Sequence, residues 1–211
     1  MKRSVEMRIG MTKIKLCGLR RGCDIAYANA LMPEYIGFVF AKNSKRYIAP
    51  GEAEILSRQL CEEITPVGVF VDEKIELMTE LLDRHIIKAV QLHGNEDEVY
   101  IHALRKRTKC TIIKAFRVKS REDIMAANHS SADYVLLDSG GGSGEIFDWS
   151  LIRVIKRPYF LAGGLTPENV RMAVLELQPF AVDASSSLET DGFKDKQKMA
   201  DFVNTVRQRK D

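Results

Sequence analysis

Eight short apolar runs alternate with eight helix-type stretches along the 211 residues. This alternation predicts an α/β fold: a single (βα)8 barrel with a parallel eight-stranded core and outer helices. Two further observations agree. Most of the runs are continuously apolar, as in parallel strands covered on both faces. The composition is 45% hydrophobic, with no linker, low-complexity tract or charge block, which suits one domain with a full core. A doubly wound open sheet is the alternative arrangement of the same units.

The first strand is predicted at Lys13–Cys17, with a helical crossover over about Gly22–Leu31. The second, Tyr35–Phe40, precedes a helix over Glu52–Leu60 that carries Ala53, Ile55, Leu56 and Leu60. The third, Pro66–Val71, precedes Lys74–Leu82, with Ile75, Met78, Leu81 and Leu82 at helical spacing. After the fourth strand, Ala89–Leu92, the segment Asp97–Arg105 starts acidic and ends basic, matching the helix dipole. The fifth strand is Thr111–Ala115, and Ser120 with an acid three residues on opens a helix over Glu122–Asn128. The sixth, Tyr134–Leu137, leads to a helix over Asp148–Ile155. The seventh is Tyr159–Leu161, after which Thr166 as N-cap and Pro167 at the first helical position open Pro167–Leu177. The eighth strand, Ala181–Asp183, and a helix over Asp195–Arg207 close the chain. Residues 1–10 lack the apolar core of a signal peptide and predict a loosely ordered extension, with the barrel domain over 11–211.

Several function classes are disfavoured. The net charge is +3 and no basic stripe is interleaved with aromatics, so no nucleic-acid partner is expected. No apolar stretch approaches ~18 residues, so no membrane span is expected. The four cysteines form no CxxC pair and no Cys/His cluster of zinc spacing. That predicts no metal site and a reduced, cytoplasmic setting. The sequence leaves monomer and homodimer equally open.

In a barrel of this kind the chemistry sits at the C-terminal ends of the strands. Cys17 ends the first strand and Asp138 ends the sixth, a thiol and a carboxyl placed to act as base and acid. Taken alone, Cys17 also suits an inert buried thiol, and Asp138 a turn former. Lys15 shares side-chain parity with Cys17, and closure brings the last strand beside the first. A Lys15–Asp183 ion pair inside the barrel is therefore expected, with the ammonium favouring the Cys17 thiolate. The other possibility is that Lys15 reaches outward between helices.

The loops after strands seven and eight carry Gly163-Gly164 and Ser185-Ser186-Ser187. These are the places where such barrels bind phosphate, with a short extra helix. Arg46, after strand two, can clamp a carboxylate bidentately or simply belong to a solvated basic loop. His93, at the end of strand four, is a possible acid or base, with a structural role as the alternative. The run Gly140–Gly144 matches no nucleotide-binding pattern and reads as a closing loop beside Asp138.

Together these segments resemble the phosphoribosylanthranilate isomerase family of tryptophan biosynthesis. The matching pieces include Lys15-Leu16-Cys17-Gly18, Ser44-Lys45-Arg46-Tyr47, Gln91-Leu92-His93-Gly94, Leu136-Leu137-Asp138, Gly141-Gly142-Ser143-Gly144, Ala162-Gly163-Gly164-Leu165 and Val182-Asp183-Ala184-Ser185-Ser186. They run in family order from about Lys13 to the C-terminus. The resemblance implies an Amadori rearrangement of N-(5-phosphoribosyl)anthranilate to 1-(2-carboxyphenylamino)-1-deoxyribulose 5-phosphate, without metal or organic cofactor. It makes Asp138 the general acid at the ribose ring oxygen. Cys17 is then the base at the sugar carbon next to the anomeric one. Arg46 holds the anthranilate carboxylate, and Gly164, Ser185 and Ser186 lie in the phosphate loops. His93, Gly142, Gly163 and Asp183 complete the substrate-binding set. The acid has to start protonated and the base at least partly ionised.

Two positions depart from the family pattern. Ser187 stands where glycine is usual, which strains the phosphate loop if that position needs positive φ. Glu145 stands where lysine is frequent. The rival readings are another phosphate-binding barrel enzyme, such as indole-glycerol-phosphate synthase or a sugar-phosphate isomerase or epimerase, and a non-catalytic barrel that only binds.

Overall fold

The computed structural model describes residues 12–138 and 149–208. The expected N-terminal extension, Gly142 and the rest of the predicted closing loop, and Glu145 lie outside the described residues. Eight parallel strands close into a barrel in sequence order. They are β1 (Lys13–Cys17), β2 (Tyr35–Val39), β3 (Thr65–Phe70), β4 (Ala89–Leu92), β5 (Thr111–Arg117), β6 (Tyr134–Asp138), β7 (Tyr159–Ala162) and β8 (Ala181–Ala184). The β1–β8 pairing closes the sheet and sets Lys15 opposite Asp183, which rules out the open doubly wound alternative.

The outer helices are α1 (Gly22–Leu31), α2 (Pro50–Ser57), α3 (Ile75–Asp83), α4 (Glu98–Arg107), α5 (Arg121–His129), α6 (Val170–Leu177) and α7 (Lys196–Arg207). Asp97 caps α4 by accepting from the Tyr100 N–H at 2.9 Å. Asp123 accepts from the Ser120 N–H at 2.9 Å, the reciprocal half of a capping box.

Three predicted helices differ from the observed ones by three residues at one end or in type. α2 starts earlier, because Pro50 suits a first helical position and Glu52 takes the Ala49 N–H at 3.2 Å. The helix expected over Asp148–Ile155 is a 3-10 helix at Trp149–Val154, a winding common in short pieces. α6 starts three residues later than expected. Residues Thr166–Asn169 are used in a turn, where Asn169 accepts from the Thr166 N–H at 2.8 Å and donates to the Gly164 carbonyl at 2.9 Å.

The core has two apolar layers. Leu16, Phe38, Phe70, Leu92 and Leu137 face outward and pack on helix residues such as Ile25, Met78, Leu104 and Phe202. Val67, Ile113, Leu136 and Phe160 fill the barrel, with Tyr35, Tyr134 and Phe180 packed against them. The Phe160 ring lies 5.4, 5.7 and 5.6 Å from those three rings. These residues stand near the strand starts, so they plug the lower barrel and leave room only at the C-terminal ends of the strands. Above the plug, Cys17, Val39 and Val69 form a small apolar cluster of their own. No described helix is long and apolar enough to cross a membrane.

Candidate active site

A cavity of about 320 Å³ opens at the C-terminal ends of the strands. Its wall brings together Cys17 from β1, Arg46 from the β2–α2 loop, Asp138 from β6 and Asp183 from β8. His93, Gly163, Gly164, Ser185 and Ser186 complete the predicted set around it. Every predicted site residue that the structure describes therefore lines one cavity. A larger hollow of about 660 Å³ lies near the start of β7, beside Arg157, Tyr159 and Glu176, and contains none of them.

Cys17 sits where strand geometry points it inward, above Lys15. Its neighbour strand passes it with a glycine: a Cβ on Gly37 would lie 2.6 Å from the Cys17 Sγ. Gly18, with φ of 82°, turns the chain out of β1, and a Cβ there would meet the Arg46 Cδ at 2.5 Å. Both glycines thus make room for a functional side chain.

The expected interior ion pair is present. Lys15 Nζ is 3.0 Å from Asp183 Oδ2, and Lys15 is 0% exposed. Burial, the largest influence, favours the neutral amine, but the charges of Asp183 and Cys17 and their hydrogen bonds together outweigh it, so the ammonium is held above its ordinary pKa. Lys15 acts on Cys17 in the expected direction, but burial outweighs it and the net shift is upward. Burial pushes the thiol pKa up; the Lys15 charge pulls it down but is the smaller effect, and the Asp183 carboxylate opposes Lys15. The resting thiol is therefore protonated, because the apolar setting of Val39 and Val69 disfavours a thiolate more than one paired ammonium can favour it.

On the far wall, His93 Nε2 lies 3.4 Å from Asp138 Oδ2. Gln91, two residues before His93 and on the same side of β4, places its Nε2 3.0 Å from His93 Nδ1. Gln91 Oε1 and Asp183 Oδ1 are buried without a hydrogen-bond partner among the described residues. Both belong to residues that line the cavity.

The phosphate-loop candidates also sit as expected. Gly163 and Gly164 have φ of 88° and 65°. A Cβ on Gly164 would meet nothing within 4 Å, so its glycine serves backbone conformation. A short 3-10 helix, Ser186–Leu188, follows β8. Ser187 is not among the residues with positive φ, so serine fits this position without strain. Ser185 Oγ donates to the Cys17 carbonyl at 3.0 Å and ties this loop to the β1 exit.

Sequence reasoning missed Gln91, Glu189 and Lys194. Glu189 accepts from Arg46 through both oxygens, at 2.6 and 2.7 Å. Burial would raise the Glu189 pKa, but the bonds from Arg46 and Lys194 bring it below the ordinary carboxylate value. Gln91 could have been found by its parity with His93; Glu189 and Lys194 lie beyond the last barrel strand and carry no strand-end signal. Among the described residues, no group of three or more His, Cys, Asp or Glu is placed to hold a metal ion.

Known proteins share this sequence pattern and fold. The family pattern of N-(5'-phosphoribosyl)anthranilate isomerase matches residues 14–205. The chain is 44% identical over 202 residues to an N-(5'-phosphoribosyl)anthranilate isomerase of Endomicrobium trichonymphae, covering 93% of this chain and 99% of that one. It superposes on the phosphoribosyl anthranilate isomerase crystal structure from Thermotoga maritima with a TM-score of 0.85 and 37% identity, over 93% of this chain and 99% of that one. It also matches a phosphoribosyl anthranilate isomerase solved with reduced 1-(o-carboxyphenylamino)-1-deoxyribulose 5-phosphate, at a TM-score of 0.83 and 36% identity over 93% and 99% of the two chains. In sequence and fold, the chain belongs to the N-(5'-phosphoribosyl)anthranilate isomerase family.

Proposed function

We propose that the chain catalyses the Amadori rearrangement of N-(5-phosphoribosyl)anthranilate to 1-(2-carboxyphenylamino)-1-deoxyribulose 5-phosphate, in the cytoplasm, with Cys17 and Asp138 as base and acid. The observation that carries this reading is the presence of both groups in one cavity, flanked by Arg46 and by the loops after β7 and β8.

Asp138 acts first, giving its proton to the ribose ring oxygen as the bond from the anomeric carbon to that oxygen breaks. The nitrogen lone pair fills the gap and leaves an iminium. This cation acidifies the hydrogen on the next carbon and favours loss of the Cys17 thiol proton to solvent, which offsets the burial that keeps the thiol protonated at rest and leaves a thiolate as base. Cys17 removes that hydrogen as a proton, and the electron pair becomes an enolamine. Ketonisation moves a proton to the former anomeric carbon, so the overall reaction is an isomerisation with no net gain or loss of atoms. The unpaired acceptors Asp183 Oδ1 and Gln91 Oε1 receive the sugar hydroxyls. Gly163, Gly164, Ser185 and Ser186 hold the phosphate through backbone N–H groups and hydroxyls.

The test follows the fluorescence of freshly made phosphoribosylanthranilate with purified protein. Its loss with wild type, and a fall of at least ~100-fold in Cys17→Ala and Asp138→Asn, is the expected result. No turnover by wild type, or full activity in both variants, overturns the reading.

A further inference from the structure

After β8 the chain forms a small antiparallel hairpin, β9 (Glu189–Thr190) and β10 (Phe193–Lys194). Its turn, Asp191-Gly192, has φ of 53° and 77°, both positive, as a tight two-residue hairpin requires. The register sets Lys194 directly opposite Glu189. Lys194 Nζ donates to Glu189 Oε1 at 2.6 Å and to the Ser185 carbonyl at 2.9 Å, with its side chain only 1% exposed. The hairpin therefore presents one partly buried carboxylate, fixed from below by a buried ammonium.

That carboxylate grips one edge of Arg46. Nε and Nη2 donate to its two oxygens at 2.6 and 2.7 Å. A guanidinium has five N–H groups in one plane and so offers two forks. Glu189 occupies the Nε/Nη2 fork. The Nη1 nitrogen donates to nothing among the described residues, and Arg46 lines the cavity. The stem is confined as well, since it passes over Gly18 closely enough to exclude a Cβ there. The charges of Arg46, Lys194 and Glu189 sum to a single positive charge, suited to one further carboxylate.

We infer that Glu189, held by Lys194, is a positioning residue that orients the second fork of Arg46 toward the carboxylate of the substrate. This rests on the reading that Arg46 grips the anthranilate carboxylate. Preorganising a planar fork lowers the ordering cost of binding, so Glu189 acts on affinity for the acidic ring and not on the proton transfers.

The experiment compares two substrates: N-(5-phosphoribosyl)anthranilate, and the aniline analogue that lacks only the carboxylate. Product formation is followed by NMR for wild type, Glu189→Gln and Arg46→Ala. In Glu189→Gln, KM for the anthranilate substrate rises about tenfold, equivalent to ~1.4 kcal/mol, with kcat within about threefold. KM for the aniline analogue changes less than about twofold, which also shows that the variant is folded. An equal KM rise on both substrates, no rise on either, or a fall on the anthranilate substrate overturns the inference; a fall means that Glu189 competes with the substrate for Arg46. Arg46→Ala separates the two layers. If it does not discriminate between the substrates, the carboxylate-gripping role itself fails and the positioning role with it. If it discriminates and Glu189→Gln does not, only the positioning role fails. Should Glu189→Gln not fold, Glu189→Asp keeps the charge beside Lys194, shortens the reach by one bond and predicts the same selective KM rise.

Discussion

Lys15→Met removes the buried ammonium beneath Cys17 and nearly conserves side-chain length. Asp183 then loses a partner at 3.0 Å while staying only 7% exposed. Coulomb's law at that separation gives about 5 kcal/mol at an effective dielectric of ~20. Breaking one side of a buried pair typically costs ~3–5 kcal/mol, so a loss of that size is expected at neutral pH. Without Lys15, burial and the smaller effect of the Asp138 charge raise the already elevated Asp183 pKa further, against the smaller opposing effect of His93. A carboxyl of that kind is accommodated below its unfolded pKa and costs stability as pH rises, so the deficit shrinks in acid. Cys17 moves further up, since the charge that lowered its pKa is gone. Urea unfolding at acid and neutral pH measures the first effect. The pH dependence of Cys17 alkylation, with Cys23, Cys61 and Cys110 replaced by serine, measures the second. Adding Asp183→Leu restores most of the stability, because a buried pair can be replaced by apolar groups at little net cost. It also lowers the Cys17 pKa relative to the single variant, because the opposing carboxylate is gone. A single-variant loss below about 1 kcal/mol, the worth of a surface pair, or an unchanged alkylation profile refutes the reasoning.

Because the Cys17 pKa is raised, kcat/KM climbs with pH toward and beyond the ordinary thiol range; a profile flat from neutral upward contradicts this. The same shift stabilises the fold below the unfolded thiol pKa, and that stability is lost as pH rises through the folded value, which alkaline urea titrations will show. Gly37→Ala places a Cβ 2.6 Å from the Cys17 Sγ and 3.2 Å from its Cα, so the thiol is displaced. The expected cost is about 1–3 kcal/mol in stability and roughly 100-fold in kcat, while unchanged kcat refutes the positional role of the glycine. Glu96 accepts from the N–H groups of Asp72 and Gly94 at 2.8 and 2.9 Å and from Lys114 Nζ at 2.9 Å. Glu96→Gln strands the buried Lys114 charge beside the His93 turn and costs ~3–5 kcal/mol, and Lys114→Met in the same chain returns part of it, both read from urea midpoints.

Much of the site was legible from strand parity and strand ends. Cys17, Asp138 and Asp183 each stand at or near a strand exit, and a parallel barrel collects such positions into one mouth. The Lys15–Asp183 pair followed from parity plus closure. Its effect on Cys17 did not, because a pKa sums burial against charge, and the depth of burial exists only once Val39 and Val69 close around the thiol. The clamp on Arg46 was hidden for another reason: Glu189 and Arg46 are 143 positions apart, and no local pattern joins them. Helix starts were mixed. Asp97 and Ser120 announced theirs, whereas Asn169 turned its side chain back onto the β7 loop and delayed α6.

The sequence by itself determined the order of strands and helices, the inward and outward faces, and which thiol, carboxyl, glycine and serine residues stand at the strand ends. These are one-dimensional properties, set by side-chain period and by backbone freedom at glycine and proline. Tertiary structure alone decided protonation and aim. The thiol is held protonated by the apolar walls around it, and Arg46 is turned by a hairpin from the far end of the chain. Desolvation and bidentate geometry depend on distances between distant segments, which come into being only when β1 meets β8 and the barrel closes.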